Sequence, residues 1–212
     1  MNLRSTLTTT FAAAVVLLAT VTTQAAVTSF SDIEYWVGTG DSEAAFVLDF
    51  QDGNDALTWG YRWDSSTTAT GEDIINAIAA EDDRMDTSLQ VFPFGTLVDG
   101  FSYDGNVLNN DFSGPIWLSW SYYNGPAYNA LSYNLTGITG RTLSDGDWDV
   151  WAFTETDSST FELQPFGFSS FAPVPAPAVG PGTGNPVPEP ASLSLLALGA
   201  GLCVLGRRRR RA

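Results

Sequence analysis

The chain has no histidine and no lysine, and its one cysteine, Cys203, lies close to the C-terminus. Without histidine the commonest general base and the commonest transition-metal ligand are missing. A Ser-His-Asp or Cys-His hydrolase therefore cannot be assembled. A single cysteine leaves no intrachain disulfide and no thiolate metal cluster. Cys203 sits in an apolar run, where a small buried hydrophobe is its plainer role. Positive charge is just as scarce. Between residues 27 and 185 the only cations are Arg62, Arg84 and Arg141, against twenty-three acidic residues, a net charge of −20. Repulsion excludes nucleic acid and disfavours an anionic lipid surface. Divalent cations, neutral polysaccharide or a hydrated matrix are the companions such a surface admits.

What is present is concentrated at the two ends. Residues 1–26 have the layout of a secretory signal peptide: Arg4, an apolar core over 11–19, and small residues ending in Ala25 and Ala26, after either of which cleavage is expected. At the other end Pro188, Glu189 and Pro190 precede an apolar run over 191–206 whose only polar side chains are Ser192 and Ser194. Arg207, Arg208, Arg209, Arg210 and Arg211 follow. As a helix, that run would be roughly 24 Å long. This is slightly short of a full span, a deficit that snorkelling arginines and local thinning of the bilayer absorb. Five adjacent arginines should stay in the cytoplasm and leave the body of the chain outside.

The order of Pro-Glu-Pro, apolar helix and arginine cluster resembles the PEP-CTERM sorting signal of Gram-negative bacteria, also labelled the ice-binding protein C-terminal domain. The resemblance covers 187–212 and implies recognition by an exosortase, a membrane-embedded cysteine protease. By position, Pro188, Glu189 and Pro190 would be the recognition residues, the apolar helix would hold them at the membrane, and Arg207 to Arg211 would stop transfer. The label implies nothing about ice. The motif also suits a protease physically, because two prolines keep the segment extended and deny it helical hydrogen bonds.

The middle reads as mainly β (α+β): an antiparallel, sandwich-like domain with one packed helix, flanked by the signal helix and the C-terminal transmembrane helix. Residues 32–37, 44–50 and 57–63 alternate or run apolar between turn clusters, suggesting a meander of three strands. Thr70 is a good N-cap, with Glu72 and Asp73 in the first turn, for a helix from residue 71 to 80 or 83. Further candidate strands are 89–94, 100–103, 115–123, 128–135, 148–154 and 160–168, with hairpin signals at Asp104-Gly105 and Asn124-Gly125. Residues 27–170 form the expected exported domain, 171–186 a Pro/Gly/Ala linker, and 187–212 the sorting segment.

Within the domain two kinds of site can be named, each beside a plainer reading. Trp117, Trp120, Trp148 and Trp151 could stack on sugar rings. Their odd spacing puts the members of each pair on opposite strand faces, so at most one of each should be core. Core and rim packing is the plainer alternative. Asp145, Asp147 and Asp149 alternate beside Gly146 as in an oxygen-rich Ca²⁺ loop, though the pattern departs from an EF-hand. Asp49, Asp52, Asn54 and Asp55 form a weaker version, and a solvated turn is the plainer role for both. The acids around Arg84 (Glu81, Asp82, Asp83 and Asp86) read as a solvated face. Carboxylate pairs for glycoside hydrolysis abound in so acidic a chain, and nothing singles out two of them.

The expected protein is an exported, non-enzymatic component of the cell surface or of an exopolysaccharide or biofilm matrix. Its precursor is tethered in the inner membrane and trimmed by exosortase after the secretion machinery and signal peptidase have acted. A carbohydrate-binding module using exposed tryptophans, with Ca²⁺ as an optional aid, is the alternative, and a carboxylate-based glycosidase the third reading.

Overall fold

The most apolar strand of the body lies at the centre of its main sheet. In this computed structural model, which describes residues 25–177, β2 (Ser42–Asp49) is buried along nearly its whole length. Its neighbours are β3 (Ala56–Trp63), antiparallel, and β9 (Asp147–Asp157), parallel. The sheet runs β1-β3-β2-β9-β7-β8. Here β1 is Trp36–Gly38, β7 is Ile116–Gly125 and β8 is Ser132–Tyr133. A strand β10 (Phe171–Pro173) also pairs with β3. A second sheet contains β4 (Met85–Phe92), β5 (Gly95–Tyr103) and β6 (Asn106–Asn109) in sequence order. The protein is therefore mostly β, with two sheets, one substantial packed helix and no closed barrel among the described residues.

That helix, α1 (Gly71–Glu81), starts where the sequence places it. The Asp73 N–H donates to the Thr70 hydroxyl at 3.2 Å, and the Thr70 N–H donates to the Asp73 carboxylate at 2.8 Å. This reciprocal cap satisfies two end donors. Ile74, Ile75 and Ile78 are fully buried, while Met85 belongs to β4 rather than to the helix. A single turn, α2 (Gly137–Gly140), buries Ile138 beside it.

The main sheet is covered on both faces, which is why its central strand has no polar side. Ala44, Phe46 and Leu48 join Trp59, Trp120, Trp151, the isoleucines of α1 and Phe101 of the second sheet in one core. Ala45 and Val47 face a second core with Val27, Ile33, Tyr123, Trp148, Val150 and Phe171. Phe166 and Phe168 close over this second core.

Several expectations are corrected. The first three strands do not form a simple meander: β1 pairs with β3, and in parallel. The main sheet is mixed because β9, from the far end of the domain, inserts parallel to β2. Asn124-Gly125 does not turn the chain. Both residues lie inside β7, opposite Asp149 and Trp148, and a Cβ on Gly125 would overlap the Ala130 carbonyl. Asp104-Gly105 does turn it, with φ of 49° and 85°, as the mirror-image turn of a tight hairpin requires. Of the stretches 128–135 and 160–168, only β8 and the Thr156–Leu163 bridge are paired. The linker begins later than residue 171, because β10 pairs with β3 and Val174 is fully buried.

No helix among the described residues is long and apolar enough to cross a membrane. The signal segment 1–24, the sorting motif, the apolar run and Arg207 to Arg211 lie outside those residues.

Candidate functional site

The expected signal-peptide cleavage points, after Ala25 or Ala26, border the folded body. Ala25 and Ala26 are exposed, whereas Val27 is buried and donates its N–H to the Phe171 carbonyl at 2.6 Å. The chain therefore enters the core at Val27. Val174 is the last of the described residues to be fully buried.

Of the four tryptophans expected to meet sugars, three cannot. Trp120, Trp148 and Trp151 are at most 7 % exposed. The face argument placed Trp148 and Trp151 correctly on opposite sides of β9, but both sides are core. Trp120 spends its indole N–H on the Leu108 carbonyl at 2.9 Å. Trp117 alone stays partly open, gripped edge-on by Phe112 and Phe161 at 5.4 Å each.

The acidic loop serves a different cation from the one expected. Arg141 Nη2 donates to Asp147 at 2.7 Å and to Asp149 at 3.3 Å, and its Nη1 donates to the Thr142 carbonyl at 2.6 Å. Asp145 instead accepts from the Glu43 N–H at 2.8 Å. The three carboxylates thus do not converge on a common point, and two of them already hold a guanidinium, so they do not fit a Ca²⁺ ion. At the weaker candidate, Asp49 is buried and bonded to Gln51 and Ser169, and Asp52 caps Asn54. Among the described residues no group of three or more such side chains is placed to hold a metal.

Asp149 is the most perturbed acid. It is fully buried where β9 meets β7, and the Tyr122 hydroxyl donates to its Oδ2. Burial pushes its carboxyl up to about 6, although the Tyr122 hydrogen bond and the Arg141 charge pull the other way. Burial and the Asp149 charge together raise the Tyr122 phenol far above its usual range, so it remains a donor. For Arg141, burial alone would lower the guanidinium, but Asp149 and Asp147 outweigh it.

A second buried ion pair corrects the solvated-face reading. Asp82 follows α1 and is fully buried; it accepts from Arg84 Nε at 2.7 Å, Arg84 Nη2 at 2.8 Å and Trp59 Nε1 at 2.9 Å. Burial would raise the Asp82 carboxyl, but these bonds hold it below the ordinary range. The third cation, Arg62, lies over the Trp36 ring at 4.2 Å and 3.5 Å from Glu43. All three cations of the body are therefore paired. Their scarcity was the available signal, because an arginine kept in a chain this acidic has a carboxylate to neutralise.

No curated protein and no solved structure matches the chain. A family model for the PEP-CTERM protein-sorting motif does match, over residues 186–211. The match includes Pro188, Glu189, Pro190 and all five terminal arginines. The chain carries a PEP-CTERM protein-sorting motif, and that motif implies an exported protein sorted by exosortase.

Proposed function

We propose that this protein is a non-enzymatic component of the cell surface or of the exopolysaccharide matrix, delivered there by exosortase. Signal peptidase removes residues up to Ala25 or Ala26, and the C-terminal helix holds the precursor in the inner membrane. Exosortase then acts at Pro188-Glu189-Pro190 and passes the acidic body to the envelope, the surface or the medium. The observation that carries this reading is the motif match over 186–211, which follows in sequence a packed body whose last strand among the described residues ends at Pro173.

The structural role draws support from where the buried acids are spent. Asp49, Asp82 and Asp149 are each bonded to neighbours in the fold. Such bonds support packing, and a body of net charge −20 stays hydrated and dispersed among neutral polymers.

Intact-mass measurement after fractionation tests the proposal. The wild-type product should lack both ends and leave the inner membrane, and Glu189→Ala should accumulate there as precursor that retains its C-terminal helix. Normal trimming and release of Glu189→Ala would overturn the exosortase reading. Hydrolysis of a glycan by the purified body would overturn the non-enzymatic one.

A further inference from the structure

At the end of β7 remote from Trp117, the chain leaves an open hollow of about 370 Å³ bordered by Asn124, Tyr133, Thr136, Arg141 and Thr142. Its size is within the range of about 300–1,000 Å³ typical of small-molecule sites. A second hollow of about 260 Å³, reaching to Phe94 and Leu97, shares Leu135 and Thr136 with the first. Leu135 is 88 % exposed between them, so the two form one groove with a ridge.

The polar groups of this groove are held in place by bonds that leave donors over. Asn134 donates from Nδ2 to the side-chain Oδ1 of Asn124 at 2.8 Å, and its own Oδ1 accepts from the Thr136 and Gly137 N–H groups. This fixes the Asn124 amide and leaves its Nδ2 without a partner among the described residues. Asp147, Asp149 and the Thr142 carbonyl fix Arg141, yet its buried Nε has no partner there either. Nε is enclosed, so the spare donor that an acceptor in the groove can reach is Asn124 Nδ2. Beside them the Tyr133 ring is 54 % exposed, braced edge-on against Tyr123 at 5.4 Å, and its hydroxyl has no partner among the described residues.

The groove thus combines an oriented donor, an open aromatic ring and an apolar ridge. Asp147 and Asp149 already neutralise Arg141, and the body carries −20, so a polyanion is repelled. A neutral ligand rich in hydroxyl oxygens and with apolar C–H faces matches both halves of the lining. We infer that this groove binds a neutral saccharide. Tyr133 stacks on a sugar ring, while Asn124 Nδ2 donates to one of its hydroxyl oxygens. The inference names a ligand class that the sorting reading leaves open. It is measured on purified protein, so it can fail while sorting stands, and the reverse.

The test is calorimetric titration of the purified exported protein with maltohexaose, cellohexaose and mannohexaose. Polygalacturonate serves as the anionic control and a neutral glycine-serine peptide as the polypeptide control. At least one neutral hexasaccharide should bind. Tyr133→Ala should weaken it tenfold or more and Asn124→Ala severalfold, with near-UV circular dichroism confirming that both variants fold. Trp117→Ala should bind as the wild type does. The inference is overturned if no hexasaccharide binds, if binding survives both groove substitutions, if Trp117→Ala abolishes it, or if either control binds more tightly than all three sugars.

Discussion

The Tyr122 hydroxyl donates to the buried carboxylate of Asp149 across the β7–β9 pairing, and Arg141 reaches the other oxygen of the same carboxylate at 3.3 Å. One tyrosine, one arginine and one aspartate therefore join two neighbouring strands to the segment that follows α2. Because burial lifts the Asp149 carboxyl to about 6, between roughly pH 4 and pH 6 the native state holds a proton there that the unfolded chain has already lost.

The consequence is a pH dependence of unusual sign. Between roughly pH 4 and pH 6 the folded protein binds more protons at this site than the unfolded one, so stability falls as pH rises. A displacement of about two units corresponds to about 3 kcal/mol across that window. Asp149→Asn should flatten this part of the profile, as read from urea midpoints at pH 4, 5, 6 and 7. A slope unchanged in Asp149→Asn would show that the proton is bound elsewhere.

Asp82 should behave in the opposite sense, since Arg84 and Trp59 hold its carboxyl low. Its contribution is complete above the ordinary carboxylate range and is lost as pH falls through its depressed folded value. Removing the cation is the sharper experiment. Arg84→Ala leaves Asp82 buried without its charge partner, and breaking such a pair costs about 3–5 kcal/mol. Urea unfolding at pH 7 measures that loss, and a change below about 1 kcal/mol would mean that Asp82 behaves as an exposed acid.

Gly60 makes a third, purely steric prediction. The Trp36 ring lies flat against it, so that an added Cβ would overlap the indole, and Arg62 covers that ring at 4.2 Å. Gly60→Ala must displace Trp36 and with it the β1–β3 pairing, for an expected cost of about 1–3 kcal/mol. Near-UV circular dichroism should lose part of its tryptophan signal in this variant. Retention of the full signal and stability would place Trp36 elsewhere.

Local chemistry was readable in the sequence, and long-range coverage was not. Thr70 and Asp73 announce the start of α1 because a cap is a contact between residues three apart. Asp104-Gly105 announces its hairpin because positive φ is a property of the turn itself. Alternation assigned Trp148 and Trp151 to opposite faces of β9, but a period of two cannot say whether the second face is covered. Here it is covered by Phe166 and Phe168, from the expected strand 160–168, and by Phe171, the first residue of the expected linker. The parallel pairing of β2 with β9 joins residues about a hundred positions apart, and neither strand's pattern names the other. The groove beside Arg141 was equally hidden, since it depends on where Asn124, Tyr133 and Arg141 meet after folding.

That covering stretch supplies the last prediction. Val27 donates to Phe171, β10 extends β3, Val174 is fully buried and Arg84 donates to the Pro175 carbonyl at 2.9 Å. An exported body ending at residue 170 would lose the buried side chains of Phe171 and Val174, each contributing about 1.5–3 kcal/mol. It would also bare part of an edge of β3, a surface open to aggregation. A body ending at residue 177 retains all of these contacts. The shorter form should therefore melt well below the longer one or precipitate, as measured by calorimetry at matched concentration. Equal melting temperatures would instead return residues 171–177 to the linker.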